Sequence, residues 1–154
     1  MIEYEGLFHI GVIVADMNKG LEDIARRFGA SFPDPRDAQV SIRYKGEVQS
    51  VPVKFAYSRQ GPPYIEVIQA VPGTVWEANA GSRIHHLGVF CDNVEDEIAR
   101  LESEGYTYEG ASLGPDGKSL AGAQYINNES GIRLELLAGE TREGFMKMLQ
   151  TPRD

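Results

Sequence analysis

The sequence predicts an α+β fold in which a strand–helix–three-strand unit occurs twice and a helix closes the chain. Three observations predict it. The first is an internal repeat: Phe8-His9-Ile10-Gly11-Val12-Ile13-Val14 is echoed by His85-His86-Leu87-Gly88-Val89-Phe90-Cys91. The second is that a helix-period stretch follows each copy. Met17, Leu21, Ile24 and Phe28 share one helical face in the first, and Val94, Ile98 and Leu101 in the second. The third is a succession of β-like runs, separated by turn residues, behind each helix.

Each element follows from local chemistry. Asp16 and either Asp92 or Asn93 suit the N-cap positions, and Gly29 and Gly105 stand where a left-handed C-cap is expected. Ile24-Ala25-Arg26 recurs as Ile98-Ala99-Arg100. The first half then offers strands at 40–44, 51–58 and 64–69, and the second at 122–127 and 132–137, with a weaker candidate at 106–109. The stretch from Gly110 to Gly122 is rich in Gly, Pro and Asp and reads as a flexible loop, one that closes over a site or merely connects elements. The chain is thus expected to form a single domain over 1–154, with one module at about 5–71, a second at about 83–138 and a helix at about 141–150.

Composition narrows the function. The 154 residues carry 15 Lys and Arg against 23 Asp and Glu, a net charge of −8, which argues against nucleic acid or an anionic membrane as partner. No apolar run reaches the ~20 residues of a membrane span. The acidic start, Met1-Ile2-Glu3-Tyr4-Glu5, is unlike a secretory signal. One cysteine makes no internal disulfide, and the expected location is the cytoplasm.

Strand parity singles out four polar residues. Side chains alternate between the two faces of a sheet. If Phe8, Ile10, Val12 and Val14 pack against a helix, His9, Gly11 and Ile13 lie on the other face. The same logic sets Glu66 opposite Ile65 and Val67, His86 opposite Leu87 and Val89, and Glu135 opposite Leu134 and Leu136. Each half therefore contributes one His and one Glu to the face away from the helices. Two neutral imidazoles and two carboxylates neutralise a divalent cation and, in a six-coordinate shell, leave two positions for substrate. Gly11 and Gly88 leave room beside the imidazoles. If Val53 and Phe55 pack against a helix, Lys54 shares the polar face, as do Arg43 and Arg133 by the same alternation. These cations suit an anionic substrate bearing carboxylate, phosphate or a coenzyme A or glutathione moiety. Tyr57, Tyr125 and Trp76 are candidate wall residues, and Tyr125 is a candidate substrate contact. Cys91 is expected in the core, and His85 to point away from the metal.

With His9-Ile10-Gly11-Val12, Tyr64-Ile65-Glu66-Val67-Ile68, His85-His86-Leu87-Gly88-Val89 and Gly131-Ile132-Arg133-Leu134-Glu135-Leu136-Leu137 in this order, the chain resembles the vicinal oxygen chelate superfamily. That superfamily includes glyoxalase I, methylmalonyl-CoA epimerase, extradiol dioxygenases and bleomycin-resistance proteins. The resemblance implies two βαβββ modules forming a cup-shaped mixed sheet around one divalent ion (Zn, Ni, Co, Mn or Fe). It implies the ligands His9, Glu66, His86 and Glu135, with modules that pair within a chain or across a dimer. It further implies a lyase or isomerase of glyoxalase or epimerase type that stabilises an enediolate or enolate of a small oxygenated substrate, anionic or thioester-bearing. Glu66 or Glu135 would be the base. The His-Glu-His-Glu set is similar to glyoxalase I, and His85-His86 followed by Leu-Gly-Val is similar to the epimerase. The epimerase pattern has a second carboxylate in the third strand, whereas Val51-Pro52-Val53-Lys54-Phe55-Ala56 has none. The alternatives are a resistance-type protein that binds and sequesters a small molecule, and an extradiol-type dioxygenase. A homodimer is the expected assembly.

Overall fold

The computed structural model describes residues 4–78, 84–127 and 131–151, the side chains of Tyr4 and of 123–127 excepted. The first half runs β1 (Leu7–Val14), α1 (Met17–Phe28), β2 (Arg36–Tyr44), β3 (Glu47–Tyr57) and β4 (Tyr64–Gln69). The second runs β5 (Ile84–Cys91), α2 (Val94–Ser103), β6 (Tyr106–Leu113), β7 (Leu120–Asn127) and β8 (Arg133–Ala138), and α3 (Arg142–Gln150) follows. The strands form a closed barrel in the order β1-β4-β3-β2-β6-β7-β8-β5. β1 pairs parallel with β4 and antiparallel with β5, so the two halves join inside one chain. No helix among the described residues is long and apolar enough to cross a membrane.

Local signals account for the elements. The Asp16 carboxylate accepts from the Lys19 N–H at 3.0 Å and the Asn93 side chain from the Asp96 N–H at 3.1 Å, which satisfies orphan donors of the first helical turns. Gly29 ends α1 with φ 68°, a left-handed conformation that favours glycine. β2 and β3 turn at Lys45 and Gly46, both at positive φ, between the paired Tyr44 and Glu47, as a two-residue hairpin requires. α1 packs Met17 and Ile24 on Val14 and Val67, and α2 packs Val94 and Leu101 on Val89 and Leu136. Leu136 is wholly buried. Leu136→Ala is therefore expected to cost about 2–5 kcal/mol, read as a lowered urea midpoint with unchanged slope.

Three expectations are corrected. Phe28 does not share the buried face of α1; it is 74% exposed at the last helical position before Gly29. Phe8 does not join the apolar cluster beneath α1. The β1–β5 register shifts between Leu7 and His9, and Phe8 joins an aromatic cluster with Tyr57, Tyr64 and Phe90 on the inner side. The stretch 110–122 is mostly strand: β6 runs to Leu113 and β7 starts at Leu120. The turn between them is stapled by Asp116, which accepts from the Lys118 and Ser119 N–H groups and the Ser119 hydroxyl.

Candidate metal centre

β1 and β5 meet antiparallel, with His9 opposite Gly88 and Gly11 opposite His86. Each imidazole therefore lies over the other half's glycine. A Cβ on Gly11 would collide with the His86 ring, and one on Gly88 with the His9 ring. β4 sets Glu66 beside Gly11, and β8 sets Glu135 beside Gly88. One donor atom from each of His9, Glu66, His86 and Glu135 falls within 4.8 Å of the others.

The donors form a tight shell. His9 Nε2 lies 2.8 Å from His86 Nε2. Glu66 Oε2 is 3.3 Å from His9 Nε2 and 3.2 Å from His86 Nε2, and Glu135 Oε2 is 3.0 and 3.3 Å from the same atoms. At metal–ligand bonds of about 2.0–2.2 Å, neighbouring donors of a coordination shell stand about 3 Å apart. Two imidazole nitrogens and two carboxylates at that spacing fit one divalent ion.

The buried charges of the cluster act on one another. Burial pushes the His86 pKa down, but the charges and hydrogen bonds of Glu135 and Glu66 outweigh it and raise the pKa to about 10. Burial raises that of Glu135, while the His86 and His9 imidazoles bring it well below the usual carboxylate range. Tyr57, inside the barrel beside Glu66, is raised well above an ordinary tyrosine by burial and by both carboxylates, so its hydroxyl stays protonated. His85 is lowered to about 3, chiefly by burial and then by Arg133 and His86. Burial lifts the Cys91 thiol to about 11, and Cys91 packs in the core beneath α2.

A cavity of about 220 Å³ opens beside the carboxylates. Glu66, Glu135 and Tyr57 line it with Val40, Val53, Phe55, Ile68, Trp76, Leu137 and Phe145, and Ser112 and Thr141 add hydroxyls. No lysine or arginine is among its described lining residues.

The expected cations are elsewhere. Val53, Phe55 and Tyr57 face into the barrel rather than onto α1 or α2, so Lys54 lies outside, ion-paired with Asp37 at 3.2 Å. Arg43 alternates with Ile42, a core residue of the barrel interior, and so takes the outer face too. Arg133 keeps the parity of Glu135, but its guanidinium is held by Glu109 at 2.5 and 3.0 Å rather than in the cavity wall. Tyr125 pairs through its backbone with Tyr108 and Leu134, and its side chain lies outside the described residues. Of the wall candidates, Tyr57 and Trp76 line the cavity. Sequence reasoning missed Phe145, which α3 lays against Phe8, Tyr57 and Phe90; its signal was an apolar face on the last helix.

A family model described as the Glyoxalase/Bleomycin resistance protein/Dioxygenase superfamily matches residues 8–121. Among solved structures, a hypothetical protein of Bacillus halodurans C-125 is similar at 18% identity, with a TM-score of 0.56, over 86% of this chain and 92% of that one. A Streptomyces coelicolor methylmalonyl-CoA epimerase in complex with 2-nitronate-propionyl-CoA is similar at 14% identity, with a TM-score of 0.53, over 86% and 95%. The methylmalonyl-CoA epimerase of Mycobacterium tuberculosis is similar at 18% identity, with a TM-score of 0.52, over 90% and 92%. At these identities the likeness is one of fold. No curated protein sequence matches the chain.

Proposed function

The chain belongs to the Glyoxalase/Bleomycin resistance protein/Dioxygenase superfamily, and from that premise we propose that it is a metal-dependent lyase or isomerase acting on a small, largely apolar substrate. The observation that carries the reading is the convergence of His9, Glu66, His86 and Glu135 on one point beside a cavity. A divalent ion held there supplies Lewis-acid stabilisation of negative charge that develops on a substrate oxygen.

The protein's own groups supply the rest. Glu66 and Glu135 border both the donor cluster and the cavity, so either carboxylate can take a proton from the carbon adjacent to the carbonyl carbon that bears that oxygen and return it. Tyr57 lines the cavity beside Glu66 and, kept protonated by burial and the two carboxylates, offers a hydroxyl donor there. The lining of Val53, Phe55, Trp76 and Phe145 excludes water and selects an apolar substrate body. At about 220 Å³ the space is below the ~300–1,000 Å³ of pockets for drug-sized ligands, which points to a small substrate or one end of a larger one. The inward face of β3 offers Val51, Val53, Phe55 and Tyr57 and no carboxylate, an arrangement suited to one-base chemistry rather than two-base epimerisation.

Metal analysis of the purified protein, followed by deuterium exchange into small α-hydroxy ketones and 2-methyl acyl thioesters, tests this reading. One bound divalent ion per chain and exchange that a chelator abolishes are expected. No bound metal, with none taken up on addition, would refute it. Glu66→Gln and Glu135→Gln keep an oxygen donor but remove the base. The variant that loses the base is expected to lower exchange about 10²–10⁴-fold, while the other changes it less.

A further inference from the structure

His85 belongs to no role assigned so far, yet it is buried and both of its ring nitrogens are engaged. Its Nδ1 lies 2.8 Å from His86 Nδ1 and its Nε2 lies 2.7 Å from the Val75 carbonyl oxygen. We propose, on the strength of the metal reading above, that His85 is a positioning residue that fixes the tautomer and ring orientation of His86 and so presents His86 Nε2 as the metal donor.

The argument is one of donors and acceptors. A carbonyl oxygen only accepts, so His85 Nε2 carries a proton and donates to Val75. In a neutral imidazole only one nitrogen carries a proton, and the Val75 carbonyl claims it for Nε2. The Nδ1 of His85 is then a bare acceptor. The short Nδ1–Nδ1 contact requires a proton, and it must belong to His86. With its proton on Nδ1, neutral His86 has its lone pair on Nε2, the atom that faces His9, Glu66 and Glu135. Second partners of this kind orient metal-ligating histidines generally.

The other end of the chain of contacts reaches the cavity. Val75 precedes Trp76, a cavity-lining residue, in a turn held by Thr74. The Thr74 hydroxyl donates to the Val71 carbonyl at 2.8 Å and accepts from the Trp76 N–H at 3.0 Å, and the Val71 N–H donates to the Trp76 carbonyl at 3.0 Å. His85 thus anchors His86 to the same turn that carries a wall of the site.

The first half supplies a built-in comparison. Phe8 stands where the repeat has His85, and it meets His9 edge-on with ring centroids 5.5 Å apart. Correspondingly, His9 Nδ1 is buried with no hydrogen-bond partner among the described residues. The two imidazoles are therefore held unequally, and His86 is the anchored one.

The test is Zn²⁺ affinity by competition with a chromophoric chelator, together with ¹⁵N-correlated NMR of the histidine rings in the wild-type protein. Wild type is expected to show the His85 proton on Nε2 and the Zn²⁺-loaded His86 proton on Nδ1. His85→Phe, which copies the first half, is expected to lose about 10–100-fold in Zn²⁺ affinity with its circular dichroism unchanged. His85→Asn keeps an acceptor near the Nδ1 position and should recover most of the loss. An affinity for His85→Phe within twofold of wild type, or a His85 proton on Nδ1, overturns the assignment alone. Wild type that binds no Zn²⁺ overturns the metal reading and this one together. If His85→Phe does not fold, the wild-type ring spectrum decides.

Discussion

Gly88→Ala is expected to abolish divalent-metal uptake and to lower stability by about 1–3 kcal/mol or more. The added Cβ would overlap the Cε1, Nε2 and Nδ1 atoms of His9, which is wholly buried and has no free volume to enter. Backbone strain is not the cause, because Gly88 is absent from the residues at positive φ. The damage comes from displacing one ligand ring off its partners. Gly11→Ala should do the same to His86. Zn²⁺ titration and urea unfolding measured on each variant check both halves of the expectation. A Gly88→Ala protein with wild-type stability and a full complement of Zn²⁺ would refute the interlocked arrangement.

His86→Ala has the second large effect, and its sign depends on pH. In the metal-free protein His86 is the protonated partner of two buried carboxylates, and removing one member of a buried ion pair typically costs about 3–5 kcal/mol. Because its folded pKa of about 10 stands above the ordinary 6.5, this contribution is fully present below about pH 6.5 and is lost as pH rises through about 10. Glu135 runs the other way: its lowered pKa contributes stability above about 4.5, and that contribution is lost as pH falls. The stability gap between wild-type and His86→Ala apoprotein should therefore be widest between about pH 4.5 and 6.5 and should shrink toward pH 10. Metal uptake has the opposite slope. A ligand must shed its proton first, so the logarithm of Zn²⁺ affinity should rise by about one per pH unit up to about pH 10 in wild type. In His86→Ala, affinity should fall at least about a hundredfold, more than loss of an outer hydrogen-bond partner. A pH-independent gap in urea unfolding would contradict the assignment of the proton to His86.

The four clustered residues were legible in the sequence for a simple reason. Strand side chains alternate strictly, and the repeat supplied the same polar parity twice, at His9 and Glu66 and again at His86 and Glu135. The cations failed because parity tells which residues share a face but not which face is buried. In β3 the alternation puts Lys54 in the cup only if Val53 and Phe55 pack against a helix. α1 packs against β4, however, and α2 against β6, β7 and β8. Neither α1 nor α2 packs mainly on β2 or β3, so the apolar residues of these strands fill the barrel interior and Lys54, Asp37 and Arg43 take the solvent side. Phe8 failed because a single extra residue reverses the alternation, and nothing in a β-rich apolar run marks a bulge. His85 lies outside the four-residue cluster. Its contact with Val75 joins two segments through a turn whose path depends on tertiary packing, so the sequence pattern could not show it.

The crossing of each imidazole over the opposite glycine constrains how this sequence can drift. Position 11 must be glycine only while position 86 holds a ring, and position 88 only while position 9 does. A lineage that abandoned one histidine would release the glycine facing it to accept larger residues, and that release would be hard to reverse once the space was filled. Restoring the lost histidine would then need two coordinated substitutions on different strands, at positions 9 and 88 or at positions 11 and 86. Among descendants of this chain, glycine at 11 and 88 is thus a record that both imidazoles are still in service.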